Sequence, residues 1–225
     1  MNTILELENV TGKKNKFSLH NINFALEPGY IYSVIGENGA GKTTLFKYIT
    51  DEYSKYDGNI ILCGKDIKRN YSESMGKVGV LSEEIRFNDD YSCIQNACIF
   101  GHLYENFDIE LLKKHSENMH LSPGTLYGHL SRGEKMKFQL AFAIAHKSSL
   151  YLADEATAGM DPVFRIEFFN ILREIMKDEN AVVLINSNIM SDVMKQTDYV
   201  ALMENGRLSE FVESIDADRL FDNKR

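Results

Sequence analysis

The stretch "GENGAGKTT", Gly36 to Thr44, governs how the rest of the chain is read. It fits G-x-x-x-x-G-K-[ST], in which glycines let the backbone curl until successive N–H groups face phosphate oxygens. Gly36, Glu37, Asn38, Gly39, Ala40, Gly41, Lys42, Thr43 and Thr44 are therefore candidate ligands of a nucleotide such as ATP. Lys42 is spaced to reach the β- and γ-phosphates, and the Thr43 hydroxyl to bind Mg²⁺. Average composition yields the pattern by chance in roughly one chain in a hundred of this length. Its surroundings narrow the odds. The mostly apolar "YIYSVI" (Tyr30 to Ile35) precedes it as a strand, and "TTLFKYI" follows with helical spacing. The helix start adds a fixed positive field.

Working outward, "SLYLADEAT" (Ser149 to Thr157) is an apolar strand that ends in two carboxylates. Asp154 at the strand end can hold Mg²⁺ or its waters. Glu155 is placed to orient or deprotonate an attacking water. A helix N-cap with an acidic first turn would use the same two residues. "LSRGEKMK" (Leu130 to Lys137) opens a helix, with Ser131 and Glu134 spaced as a capping box. Capping alone would account for both. The functional alternative is a second phosphate site at this helix start, built from Ser131, Gly133 and Glu134. The first site already uses another helix start, so a second phosphate would belong to a second copy.

Strands and helices alternate along most of the chain. "NIIL", "KVGVL", "SLYLA", "AVVLI" and "YVALM" are short apolar runs separated by longer segments, which implies a mostly parallel sheet. "ILELENV" and "FSLHNINFAL" alternate apolar and polar residues, which implies an antiparallel layer beside it. Between Asn88 and His129 no strand is predicted, and "CIQNACIFGHLY" and "IELLKKHSENM" have helical spacing. The expected architecture is an α/β P-loop NTPase core, about 1–84 and 138–225, interrupted by a helical subdomain at about 85–137. In "VVLINSNIMSDV", Val182 to Ile185 read as a buried strand that gives way at Asn186-Ser187-Asn188, and a helix is expected near Ile189.

Composition closes several alternatives. The 225 residues carry a net charge of −8, which argues against nucleic acid as the main partner. The three cysteines are too few and too unevenly placed for a disulfide framework or a zinc site. No apolar run approaches a membrane span, and the acidic "MNTILELENV" does not read as a signal peptide.

P-loop, helical insertion, "LSRGE", "YLADEAT" and "AGMD" occur here in the order found in the ATP-binding cassettes of ABC transporters, and the chain resembles those cassettes over nearly its whole length. Within them it looks most like the cassettes of ABC-2-type exporters. The resemblance implies an ATPase that binds ATP and Mg²⁺ and works as a head-to-tail dimer with a second cassette, homo- or heterodimeric. It also implies an integral membrane permease subunit as partner and a cytoplasmic position on the inner face of the membrane. Two ATP molecules would lie between the P-loop of one copy and the signature helix of the other. By the same resemblance Asp161 of "AGMD" joins Glu155 among the catalytic residues.

The sequence also departs from the family. The strand before "NIMSD" normally ends in a histidine that contacts the γ-phosphate, and Asn188 stands there. Glu83 replaces a glutamine near the metal, where a carboxylate can still approach Mg²⁺. Arg132 replaces a small glycine in the signature. Lys14 stands where an adenine-stacking aromatic is expected, and Phe17, the nearest aromatic, reads as core. Ala156 replaces a proline. Binding is therefore expected to persist with weaker turnover. Two other readings stand beside a transport motor: a degenerate cassette that clamps ATP for a partner, and a soluble ABC-type ATPase outside transport.

Overall fold

The structure is a computed structural model that describes residues 3–14, 17–50, 52, 55–157, 160–177, 180–187, 195–218 and 220. In chain order the strands are β1 (Leu5–Lys14), β2 (Phe17–Leu26), β3 (Ile31–Ile35), β4 (Tyr56–Leu62), β5 (Lys65–Asp66), β6 (Val78–Ser82), β7 (Leu150–Asp154), β8 (Val182–Ser187), β9 (Tyr199–Glu204), β10 (Arg207–Leu208) and β11 (Val212–Glu213). The helices are α1 (Lys42–Ile49), α2 (Tyr71–Met75), α3 (Cys93–Gly101), α4 (Ile109–Asn118), α5 (Arg132–Ala145) and α6 (Pro162–Met176).

Five strands run parallel in the order β9-β3-β8-β7-β6, with β10 and β11 added antiparallel on β9. Their apolar runs are continuous because both faces are covered. Tyr151, Ala153, Val183 and Ile185 share one core with α5 and α6, through Phe138, Phe142, Phe164, Phe168 and Phe169. Leu150, Leu152, Val182 and Leu184 share another with α1 and the antiparallel sheet β2-β1-β4-β5. Alternation along each strand thus assigns every second residue to α1.

The α/β core and the separate antiparallel layer agree with the sequence expectation. Between Asn88 and His129 the structure has α3 and α4, and an isolated bridge joins Ser92 to Leu126. The ring of Phe87 ties these helices to the core, lying 4.8 to 5.4 Å from the rings of Phe138, Phe142, Tyr127 and Phe100. α5 runs without a break from this region onto the sheet. Strand β8 extends past Ile185 to include Asn186 and Ser187, both buried. Asn188 and the helix expected near Ile189 lie outside the described residues. No described helix is long and apolar enough to cross a membrane.

Candidate functional site

The site forms where the parallel strands end. Register places Ser82, Asp154, Asn186 and Val34 in one row across β6, β7, β8 and β3. Beyond that row β3 runs through Ile35 into Gly36 and the loop. Gly36 and Gly41 hold positive φ, 154° and 118°. A Cβ on Gly36 would run into the carbonyl oxygen of Met203, and one on Gly41 into the ring of Phe17. Only glycine fits at both corners. Phe17 is half-buried against the core, as the sequence reading has it, and its ring also backs the loop. Lys14's side chain is outside the described set.

The loop opens onto α1, whose N-cap Gly41 supplies no side-chain hydrogen bond and whose first turn has no acid. The other described helices of comparable length are all capped, by Ser92, Asp108, Ser131 and Asp161. An uncapped helix start leaves N–H groups and the positive end of the dipole for an anion. Lys42 is 4% exposed and donates to the carbonyls of Gly36 at 2.7 Å and Glu37 at 3.0 Å. Burial lowers its pKa, and the charges of Glu155 and Asp154 oppose that shift. An anionic phosphate at the loop would act with those carboxylates, opposing the effect of burial and favouring the charged ammonium.

Thr43 and Asp154 come together as the motifs require. The Thr43 hydroxyl donates to Oδ1 of Asp154 at 3.1 Å. One hydroxyl and one carboxylate are hard oxygen donors suited to Mg²⁺. Among the described residues no group of three or more His, Cys, Asp or Glu forms a metal cage. A cation held by Thr43 and Asp154 would thus take its remaining ligands from phosphate and water, as Mg²⁺ prefers. Burial raises the Asp154 pKa, and the hydrogen bonds from Asn186 and Thr43 counter it. Glu155 follows at once with φ 49°, an unusual conformation for a residue with a side chain.

Other candidate residues have structural duties. Ser131 and Glu134 form the capping box, with Ser131 N–H to Glu134 carboxylate at 2.8 Å and Glu134 N–H to Ser131 hydroxyl at 3.3 Å. Gly133, one residue before Glu134, has open space where a side chain would be. Asp161 caps α6 by accepting from Val163 and Phe164 N–H at 3.0 and 2.9 Å. Glu83 and Arg132 form an ion pair with each other. Ala156 is buried in the core.

Two residues that sequence reasoning passed over hold the site. Gln139 of α5 grips both backbone groups of Ser82, accepting its N–H at 2.9 Å and donating to its carbonyl at 3.0 Å. Since β6 ends the sheet, this amide replaces a missing strand. Asn186 donates to Oδ1 of Asp154 at 2.6 Å and accepts the Glu155 N–H at 2.8 Å. The available signals were a glutamine inside the apolar run "KFQLAF" and an amide directly after "VVLI".

Known proteins share this fold and much of this sequence order. A solved structure described as an ATP-binding subunit of an ABC transporter superposes with a TM-score of 0.88 at 21% identity, covering 97% of this chain and 93% of that one. The bacitracin transport ATP-binding protein BcrA of Enterococcus faecalis is 28% identical over 191 residues, which is 84% of this chain and 62% of that protein. The arabinose import ATP-binding protein AraG of Mannheimia succiniciproducens is 28% identical over 199 residues, 82% of this chain and 39% of that protein. The chain therefore spans about three-fifths and two-fifths of the length of these two relatives. A family model described as ABC transporter matches residues 19–158, taking in the P-loop, the signature segment and the Asp154-Glu155 pair. The chain belongs to the ABC transporter family of P-loop ATP-binding proteins.

Proposed function

We propose that the chain is the ATP-binding and ATP-hydrolysing motor subunit of a membrane transporter, acting through a head-to-tail dimer on a separate permease, with export as the favoured direction. The observation that carries this reading is the junction of Thr43, Asp154 and Glu155 beside a complete P-loop with an uncapped helix start.

In this reading the backbone N–H groups of Gly36 to Thr44 bind the β- and γ-phosphates. Lys42 leaves its loop carbonyls for them, which fixes the nucleotide without reshaping the fold. Thr43 and Asp154 hold Mg²⁺, which neutralises phosphate charge when bound. Glu155 orients and deprotonates water, contributing about 10²–10⁴-fold. By the family resemblance Asn188, outside the described residues, is assigned the γ-phosphate contact, and Asp161 is counted among the catalytic residues. Ser131 and Gly133 meet the nucleotide of the second copy, and the open space over Gly133 suits that approach. Exposed Tyr91, Ile99 and Leu103, which follow Asp89 and Asp90 in the chain, supply residues for a face that receives a permease helix. The protein then sits on the cytoplasmic side of the membrane.

A second reading, an ATP clamp with little turnover, draws support from the engagement of Glu83 with Arg132. Calorimetry and phosphate release separate the two. The motor reading expects Mg-dependent ATP binding that Lys42→Ala largely abolishes, and hydrolysis that Glu155→Gln slows while binding persists. Binding with no phosphate release in the presence of the permease would leave only the clamp. Equal ATP affinity in Lys42→Ala and parent would overturn both.

A further inference from the structure

We infer that Asn186 is a positioning residue for ATP hydrolysis, orienting the Asp154 carboxylate toward the metal and holding the Glu155 backbone in place. The inference rests on the motor reading above and adds to it a residue outside the three sequence motifs.

The geometry is specific. Asn186 is 0% exposed, on a strand with sheet neighbours on both sides. A buried amide is costly unless its donor and acceptor are both used. Here the amide nitrogen takes Asp154 and the amide oxygen takes the Glu155 N–H. The two bonds run to consecutive residues, one assigned to the metal and the next to water. Asp154 lies directly opposite Asn186 in the parallel register, so the side chains project from neighbouring strands to the same side.

Each bond has a distinct consequence. Thr43 and Asn186 donate to the same oxygen, Oδ1 of Asp154. Together they restrain the carboxylate rotation, so that Oδ2 would be the oxygen available to a bound metal or its water. The second bond acts on Glu155, whose φ of 49° is costly for a residue bearing a Cβ. An acceptor placed for that one N–H stabilises the turn and sets the direction in which the Glu155 side chain departs. A leucine at 186 would fill the same space and supply neither bond. Asn186 thus plays the part that outer-sphere hydrogen-bond partners play around metal ligands.

The test compares parent, Asn186→Leu and Asn186→Thr. ATP affinity is measured by calorimetry in EDTA and across a Mg²⁺ series, with phosphate release and the hydrogen exchange of the Glu155 amide. The P-loop supplies most of the metal-free affinity, so Asn186→Leu should match the parent in EDTA. Its half-saturating Mg²⁺ concentration should rise about 10–100-fold, its turnover should fall by a similar factor, and the Glu155 amide should lose protection. Asn186→Thr keeps a hydroxyl near Asp154 and should fall between the two. A merely structural role would lower EDTA and Mg²⁺ affinities in proportion, and that result, or parental behaviour of Asn186→Leu, overturns the inference. If Asn186→Leu does not fold, the threonine variant decides: a raised Mg²⁺ requirement supports the role, and parental values in both assays refute it. A parent that binds no Mg-ATP removes the motor reading and this inference together. A parent that binds and turns over while the variants match it removes this inference alone.

Discussion

Lowering the pH should destabilise this protein through His146, well before its carboxylates begin to protonate in bulk. His146 closes α5, is 5% exposed, stacks on Tyr104 at 4.1 Å and bonds the Ser148 hydroxyl at 3.1 Å. Burial pushes its pKa down to about 4, against weaker upward contributions from backbone groups of His146 and Gly76. The unfolded chain titrates near the ordinary histidine value of about 6.5. Between those two pH values the unfolded state holds a proton that the folded state does not. Stability therefore rises with pH through this window, is fully present above about 6.5, and is lost as the pH falls toward 4. The whole window corresponds to about 3 kcal/mol. From pH 7 to pH 5 the loss is about 2 kcal/mol, or about 30-fold in the unfolding equilibrium.

Urea unfolding at pH 7 and pH 5, on parent and His146→Phe, measures the effect. Phenylalanine can keep the stack on Tyr104 and cannot titrate. Ser148 retains its bond to the Ala143 carbonyl, so no buried hydroxyl is stranded. The parent should lose about 2 kcal/mol more than the variant over this interval. His115 is also shifted down, by burial and then by Lys114, but it is common to both proteins and cancels. Equal losses in the two proteins would refute the reasoning, as would an imidazole of His146 titrating above pH 6 by NMR.

Two further outcomes follow from named contacts. Glu83 and Arg132 are 52% and 42% exposed, so a double-mutant cycle with Glu83→Gln and Arg132→Gln should give a coupling of about 0.2–1 kcal/mol in urea unfolding, and zero coupling would refute the pair. Asp161→Ala removes the α6 cap and should cost about 1 kcal/mol, lowering the thermal midpoint by roughly 2–4 °C. If Asp161 also serves the reaction, phosphate release per folded molecule falls as well, and an unchanged midpoint would refute the capping role.

Much of this fold was legible because its physical causes are local. Apolar runs such as "SLYLA" and "AVVLI" announce strands covered on both faces, and S-x-x-E announces the start of α5 through a cap that closes within one turn. The P-loop is legible for the same reason, since its glycines answer conformational demands inside a short segment. What stayed hidden depends on pairing across the sheet. Asn186 looked like the polar end of a strand, yet the strand continues through it, because Asp154 and Glu155 satisfy its amide. Gln139 drew no reading from the sequence, because its task, holding the edge of β6 at Ser82, is set by a strand far away in the chain. The seven-residue segment 188–194, where Asn188 was read, is outside the described residues.

The pairing of Glu83 with Arg132 changes the meaning of the two departures. Taken singly, each reads as damage: a carboxylate where an amide belongs, and a bulky cation where a glycine belongs. Taken together they neutralise each other and join the end of β6 to the start of α5. The groups assigned to the nucleotide and its metal within one copy, Lys42, Thr43 and Asp154, with Asn186 positioning Asp154, are bonded to the P-loop or to one another and do not involve either residue. Binding within one copy should therefore be insensitive to the pair. A cost of the substitutions would instead appear in steps that move α5 relative to β6 or bring a second copy onto the signature. An Arg132 variant with unchanged ATP affinity and altered turnover fits this division of labour, and one with proportionate losses in both contradicts it.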